Sequence, residues 1–85
     1  MIIELHKAFK KQYEKLTVSQ KRKFKERRNI FLQDEFNPIL NNHALKGKYQ
    51  GYRSINVTGD IRVIYINSSE DVVFVKIGSH SRLYG

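Results

Sequence analysis

The chain contains no cysteine, so neither a disulfide framework nor a thiolate zinc site is open to it. Its five glycines are scattered rather than gathered, which excludes a glycine-rich phosphate loop, and its single proline is Pro38. Apolar stretches are strand-sized, and none approaches the length of a membrane span. The opening residues, Met1-Ile2-Ile3-Glu4-Leu5-His6-Lys7, lack the long apolar core and small-residue cleavage site of a signal peptide. Together these absences point to a cytoplasmic protein with no membrane partner. No two of His6, His43 and His80 stand at metal-binding spacing, and no acid cluster accompanies them. No serine sits in a nucleophile-elbow context. No metal or other cofactor is therefore expected.

What the chain does have is positive charge in one place. Its 85 residues carry 16 Lys and Arg against 8 Asp and Glu, a formal net charge of +8. The whole excess lies between Lys7 and Arg28, where Glu14 and Glu26 are the only acids. Elsewhere basic and acidic residues balance. Such asymmetry suits a polyanionic partner, either nucleic acid or an acidic protein, and equally suits a solvated helical face. Five Phe, five Tyr and many Ile, Val and Leu supply one modest core, so residues 1–85 read as a single domain.

Residues 2–5 are short and β-branched, a first strand. Leu5, Phe9, Tyr13 and Leu16 recur at helical spacing and predict an amphipathic helix. Thr17 or Ser19 caps a second helix, in which Phe24, Phe31 and Glu35 fall on one line and Asn37-Pro38 is the expected stop. Residues 41–51 read as a loop. Three strands follow, over 52–57, 61–66 and 71–78, with Thr58-Gly59-Asp60 as the first turn. The middle strand is apolar on both faces apart from Arg62, as a central strand is. In the last strand Val73, Val75 and Ile77 are the expected buried set. The order is β-α-α-β-β-β: an α+β fold with two N-terminal helices packed on a small antiparallel sheet.

With metal and covalent nucleophiles set aside, acid–base chemistry supported by cations remains. RNA is a substrate for which that suffices, because its own 2′-hydroxyl attacks the adjacent phosphate. Histidine suits the proton transfers, Lys and Arg the developing charge, and Tyr the base. A last strand without a bulge puts Lys76 and His80 on one face. Asp60 begins the neighbouring strand and Arg62 points the same way, while His43 lies in the loop before it. Each has an ordinary reading too. Asp60 is a turn residue, His43 a loop cap, His80 a surface residue, Arg62 and Lys76 solvated strand positions, and Tyr84 packing.

Asn42-His43-Ala44-Leu45-Lys46-Gly47 resembles the D/N-H-x-L-x-G segment of the RelE superfamily, in particular its YafQ-like branch. Gly51-Tyr52-Arg53-Ser54, Asn56-Val57-Thr58-Gly59-Asp60 and Arg62-Val63-Ile64-Tyr65 follow in family order. The end, Ile77-Gly78-Ser79-His80-Ser81-Arg82-Leu83-Tyr84, resembles the terminal G-[ST]-H-x-x-L-[FY] of that branch. The resemblance covers residues 42–85 by motif and the helical half by pattern.

It implies the toxin of a type II toxin–antitoxin system, a ribosome-dependent mRNA endonuclease held in check by a cognate acidic antitoxin. His43, Asp60 and His80 match catalytic positions of the branch; Lys76 stands where Arg is common and Tyr84 where an aromatic is. On that footing His80 is the expected general acid and Asp60 or His43 the general base. Lys76 and Arg62 would stabilise the phosphate, and Tyr84 would position the nucleotide. Lys46, Lys48, Arg53, Lys11, Lys15, Lys21, Arg22 and Lys25 are the further candidates for phosphate contact. Asn56 and Ile61 depart from the branch, which often has His and Trp there; Asn hydrogen-bonds but shuttles no proton. A ParE-like inhibitor of DNA gyrase and a non-catalytic RNA- or ribosome-binding module are the alternatives.

Overall fold

The computed structural model of the protein describes residues 1–84. Strand β1 (Ile3–Leu5) leads into helices α1 (Lys7–Glu14) and α2 (Val18–Gln33). Both helices begin at side-chain caps. The His6 imidazole accepts from the Ala8 amide at 3.0 Å, a structural task for a residue to which the sequence assigned none. Thr17 and Gln20 form a reciprocal capping box, so Thr17 rather than Ser19 starts α2. Leu5 belongs to β1, so the apolar stripe of α1 starts at Phe9.

Helix α2 stops before Pro38 is reached. Asp34 is extended (φ −154°, ψ 94°) and its carboxylate accepts from the Phe36 amide at 3.3 Å. That local bond offers the backbone an alternative to the helix, and Glu35 is carried off the helical line. A 3-10 turn over Pro38–Leu40 follows, closed by Asn41 in the left-handed region at φ 46°.

Residues 41–51 are more ordered than a loop. They hold the two-residue strand β2 (His43–Ala44) and a second 3-10 turn, Gly47–Tyr49. Strands β3 (Arg53–Asn56), β4 (Ile61–Ser68) and β5 (Asp71–Ser79) and a terminal helix α3 (His80–Tyr84) complete the fold. The five strands lie in the order β1-β5-β4-β3-β2. The meander is antiparallel as expected, but β1 joins β5 in parallel, Ile3 opposite Val72, so the sheet is mixed.

Central β4 is covered on both faces: Val63, Ile64 and Tyr65 are all fully buried. On the helical face Phe9, Phe24 and Phe31 pack against Phe74 and Tyr65, with Phe31 and Tyr65 edge to face at 5.1 Å. The expected burial of Val73 and Val75 does not occur; Val72, Phe74 and Ile77 are the buried residues of β5. A β-bulge is the reason. Ile64 pairs with Lys76 and Tyr65 with Phe74, which leaves Val75 as an extra residue and reverses the alternation across it.

Candidate functional site

The site lies on the sheet face opposite the two long helices, and the bulge decides which side chains reach it. Beyond Val75, Ile77 turns to the helices while Lys76 stays on the other face, beside Ile64. Strand β5 then ends at Ser79. His80 opens α3 instead of continuing the strand, its amide donating to the Asp60 carbonyl at 3.0 Å. Leu83 of that short helix is buried against β5, where a Cβ on Gly78 would meet its side chain at 3.6 Å.

Asn41, His43, Leu45, Ser54, Arg62, His80 and Tyr84 line a cleft of about 310 Å³. Four expected site residues, from β2, β4 and α3, thus meet at one place. The His80 and Tyr84 rings are 4.8 Å apart and tilted by 52°. Two buried oxygens in the walls, Ser54 Oγ and Tyr84 Oη, have no hydrogen-bond partner among the described residues. Arg62 curls back over the β3–β4 turn, its Nη1 donating to the carbonyls of Thr58 (3.0 Å) and Gly59 (2.9 Å).

His43 is held in a defined state. Its Nδ1 lies 2.9 Å from the Asn41 carbonyl oxygen, an atom that only accepts, so Nδ1 carries a hydrogen. In the neutral ring the lone pair then sits on Nε2, the nitrogen available as a base.

Lys76 joins the site through a residue the sequence reading passed over. Its Nζ donates to the Tyr49 hydroxyl at 3.2 Å, and that hydroxyl donates to the Leu83 carbonyl at 3.2 Å. Tyr49 also meets Tyr52 and Tyr84 edge to face, at 6.1 and 5.9 Å. The available signal was an aromatic residue between two glycines. Gly47 and Gly51 take φ 65° and 93°, a conformation that other residues adopt at a cost, and return the segment across the sheet.

Other expected residues do not line this cleft. Asp60, whose carbonyl accepts from the His80 amide, lines a second cleft of about 490 Å³, with Lys15, Gln20 and Arg82 among its walls. Arg53 is on the helical face, bound to Asn42 at 2.8 Å and stacked over Phe36 at 5.2 Å. Ile61 is in the core, 5% exposed, so in this chain its side chain offers no base-stacking surface. Asn56 faces Arg62 across the ladder, and its buried Oδ1 has no partner among the described residues.

Lys11, Lys15, Arg22 and Lys25 are exposed on the helices, as are Lys46 and Lys48 before β3; Lys21 is half-buried with its ammonium over the Tyr13 ring. Among the described residues the one ion pair is Lys23–Glu26, at 3.4 Å. The cationic surface is therefore almost wholly uncompensated by carboxylates. No group of three potential metal ligands and no helix long and apolar enough to cross a membrane occurs among the described residues.

A five-stranded mixed sheet with the two long helices on one face and a histidine-, arginine- and tyrosine-lined cleft on the other is the architecture implied by the resemblance to RelE/ParE-like toxins. The comparisons narrow this. The family model for the bacterial toxin of type II toxin–antitoxin systems, YafQ, matches residues 1–85, and the chain belongs to that family.

A crystal structure of YafQ from Escherichia coli is similar, with 24% identity, a TM-score of 0.79, and coverage of 99% of this chain and 98% of that one. The toxin in the E. coli DinJ–YafQ complex matches at 25% identity and a TM-score of 0.76, over 99% and 98% of the two chains. A YoeB/ParE toxin from Agrobacterium tumefaciens shares the fold at 19% identity and a TM-score of 0.78, over 94% and 99%. No curated protein sequence matches the chain.

Proposed function

We propose that this toxin is a ribosome-dependent mRNA endonuclease working by metal-free acid–base chemistry. The observation that carries the reading is the convergence of His43, Arg62, His80 and Tyr84 on one cleft. His43 Nε2 takes the proton of the substrate 2′-hydroxyl, and the 2′-oxygen attacks the adjacent phosphorus. The bond from phosphorus to the 5′-oxygen breaks, and His80, as imidazolium, gives that oxygen a proton. The products are a 2′,3′-cyclic phosphate and a 5′-hydroxyl.

Arg62 and Lys76 offset the charge that builds on the phosphate. A lysine at position 76 supplies charge without the bidentate grip of a guanidinium. Tyr84 positions the nucleotide. The hydrogen on His43 Nδ1 favours His43 over Asp60 as the base, since Asp60 lines the other cleft.

The exposed cations of α1 and α2 hold the toxin on ribosomal RNA through phosphate contacts. A cognate antitoxin, acidic to match this surface, is the proposed protein partner; the solved DinJ–YafQ complex supports such an assembly. Primer extension on mRNA from a translating system tests the function. Codon-phased cuts that vanish with His80→Ala are expected. Arrested translation with intact mRNA would leave a binding module, and inhibited DNA supercoiling a ParE-like toxin.

A further inference from the structure

Asn42 precedes His43 and spends its whole side-chain amide on the protein interior. Its Oδ1 accepts from Arg53 Nε at 2.8 Å, and its Nδ2 donates to the Glu35 carbonyl at 3.0 Å and the Tyr65 hydroxyl at 2.7 Å. The amide orientation is unambiguous, because a guanidinium only donates and a carbonyl oxygen only accepts. The partners are themselves held. Tyr65 is fully buried and donates to the Glu35 carboxylate at 2.7 Å, and the Arg53 guanidinium stacks on Phe36.

This network fixes the peptide unit between Asn41 and Asn42, whose carbonyl oxygen receives His43 Nδ1. Asn41 contributes from the other side with its left-handed backbone, and β2 pairing sets His43 opposite Ser54. We infer that Asn42 is a positioning residue that acts through His43, holding the imidazole as the Nδ1–H tautomer with its Nε2 lone pair toward the cleft. The histidine needs such help because it is exposed on a two-residue edge strand, with little packing of its own. Its catalytic consequence rests on the nuclease reading; its effect on the imidazole does not.

The test is imidazole ¹⁵N spectroscopy of the full chain near pH 8, comparing the unaltered protein with Asn42→Ala and Tyr65→Phe. The second variant keeps the ring that packs on Phe31 and Phe74, so it folds even if the first does not. A single Nδ1–H tautomer for His43 in the unaltered protein, and a mixture of tautomers in the folded variants, is expected. An unaltered protein without that tautomer, or folded variants that retain it alone, would overturn the proposal. In ribosome-bound cleavage the folded variants should lose about tenfold or more in kcat with KM within about twofold, the size of effect seen when a metal-ligating histidine loses its orienting partner. If the unaltered protein cuts no mRNA, the nuclease reading fails, while the spectra still decide whether Asn42 positions His43.

Discussion

Tyr84 turns its ring onto His80, 4.8 Å away, yet its hydroxyl is buried without a partner among the described residues. The nucleotide-positioning role proposed for position 84 therefore falls to the ring rather than the oxygen. Tyr84→Phe should keep cleavage within about twofold and leave Tm unchanged or slightly higher, since an unpaired buried hydroxyl is lost. Tyr84→Ala should lower cleavage about tenfold or more, the scale of losing a base-stacking platform. Cleavage kinetics of the two variants check this, and a Phe variant as damaged as the Ala variant would count against it.

His80 is exposed, and its backbone amide, not its ring, ties β5 to the Asp60 carbonyl. His80→Ala should therefore change stability by no more than about 0.5 kcal/mol, while the acid role proposed for the ring requires that it remove cleavage. Urea unfolding and primer extension on the same preparation separate the two quantities. Retained cutting would take His80 out of the chemistry.

Burial pushes the Tyr65 phenol up from its ordinary value of 10.0 to about 12, with the Glu35 carboxylate adding to the rise and the Asn42 amide opposing it. The folded state thus holds this proton more tightly than the unfolded chain. Its contribution to stability is complete below pH 10 and is lost as the pH rises toward about 12. The informative quantity is the difference between the unaltered protein and Tyr65→Phe, which isolates this one phenol. That difference in urea midpoint should shrink or reverse between pH 10 and about 12, the interval between the unfolded and folded values of the phenol.

The uncompensated cations of the helices should appear as salt dependence. Replacing exposed Arg22 and Lys25 by Gln should lower the slope of log affinity for ribosomes against log salt by about 1 per residue that contacts a phosphate. The fold should be untouched, because neither side chain is buried. Sedimentation with ribosomes across a salt series measures it, and an unchanged slope would move the contact surface elsewhere.

Phe31, at the centre of the core against Tyr65 and Phe74, should be the costliest aromatic truncation. Phe31→Ala should destabilise by about 3–5 kcal/mol, enough to unfold a domain of this size at moderate temperature. Thr17→Ala, which removes one half of the capping box, should cost about 1 kcal/mol. Urea denaturation ranks the two.

Much of the fold was legible from local pattern. The two-sided apolar run around Val63–Tyr65 marked the central strand, and Thr17 and Ser19 marked the start of α2, the bond to Gln20 deciding for Thr17. Of the site, His43, Arg62 and His80 could be singled out by chemical type. What could not be read was their grouping. Asp60 and Arg62 are two residues apart on one chain segment, yet they line different clefts. The bulge at Val75 reversed the expected face of the first half of β5, and the tasks of Tyr49 and Asn42 are set by partners far away in sequence, Lys76 and Tyr65.

Periodicity, capping and charge distribution depend on neighbours along the chain, and residue order alone determined them here: two helices, three long strands and a cationic N-terminal third. The parallel seating of β1 on β5, the extra residue at Val75, and the network that holds Asn42 depend on partners far apart in sequence. Those were decided by tertiary packing, because hydrogen-bond register and buried polar pairing are satisfied only by the assembled sheet.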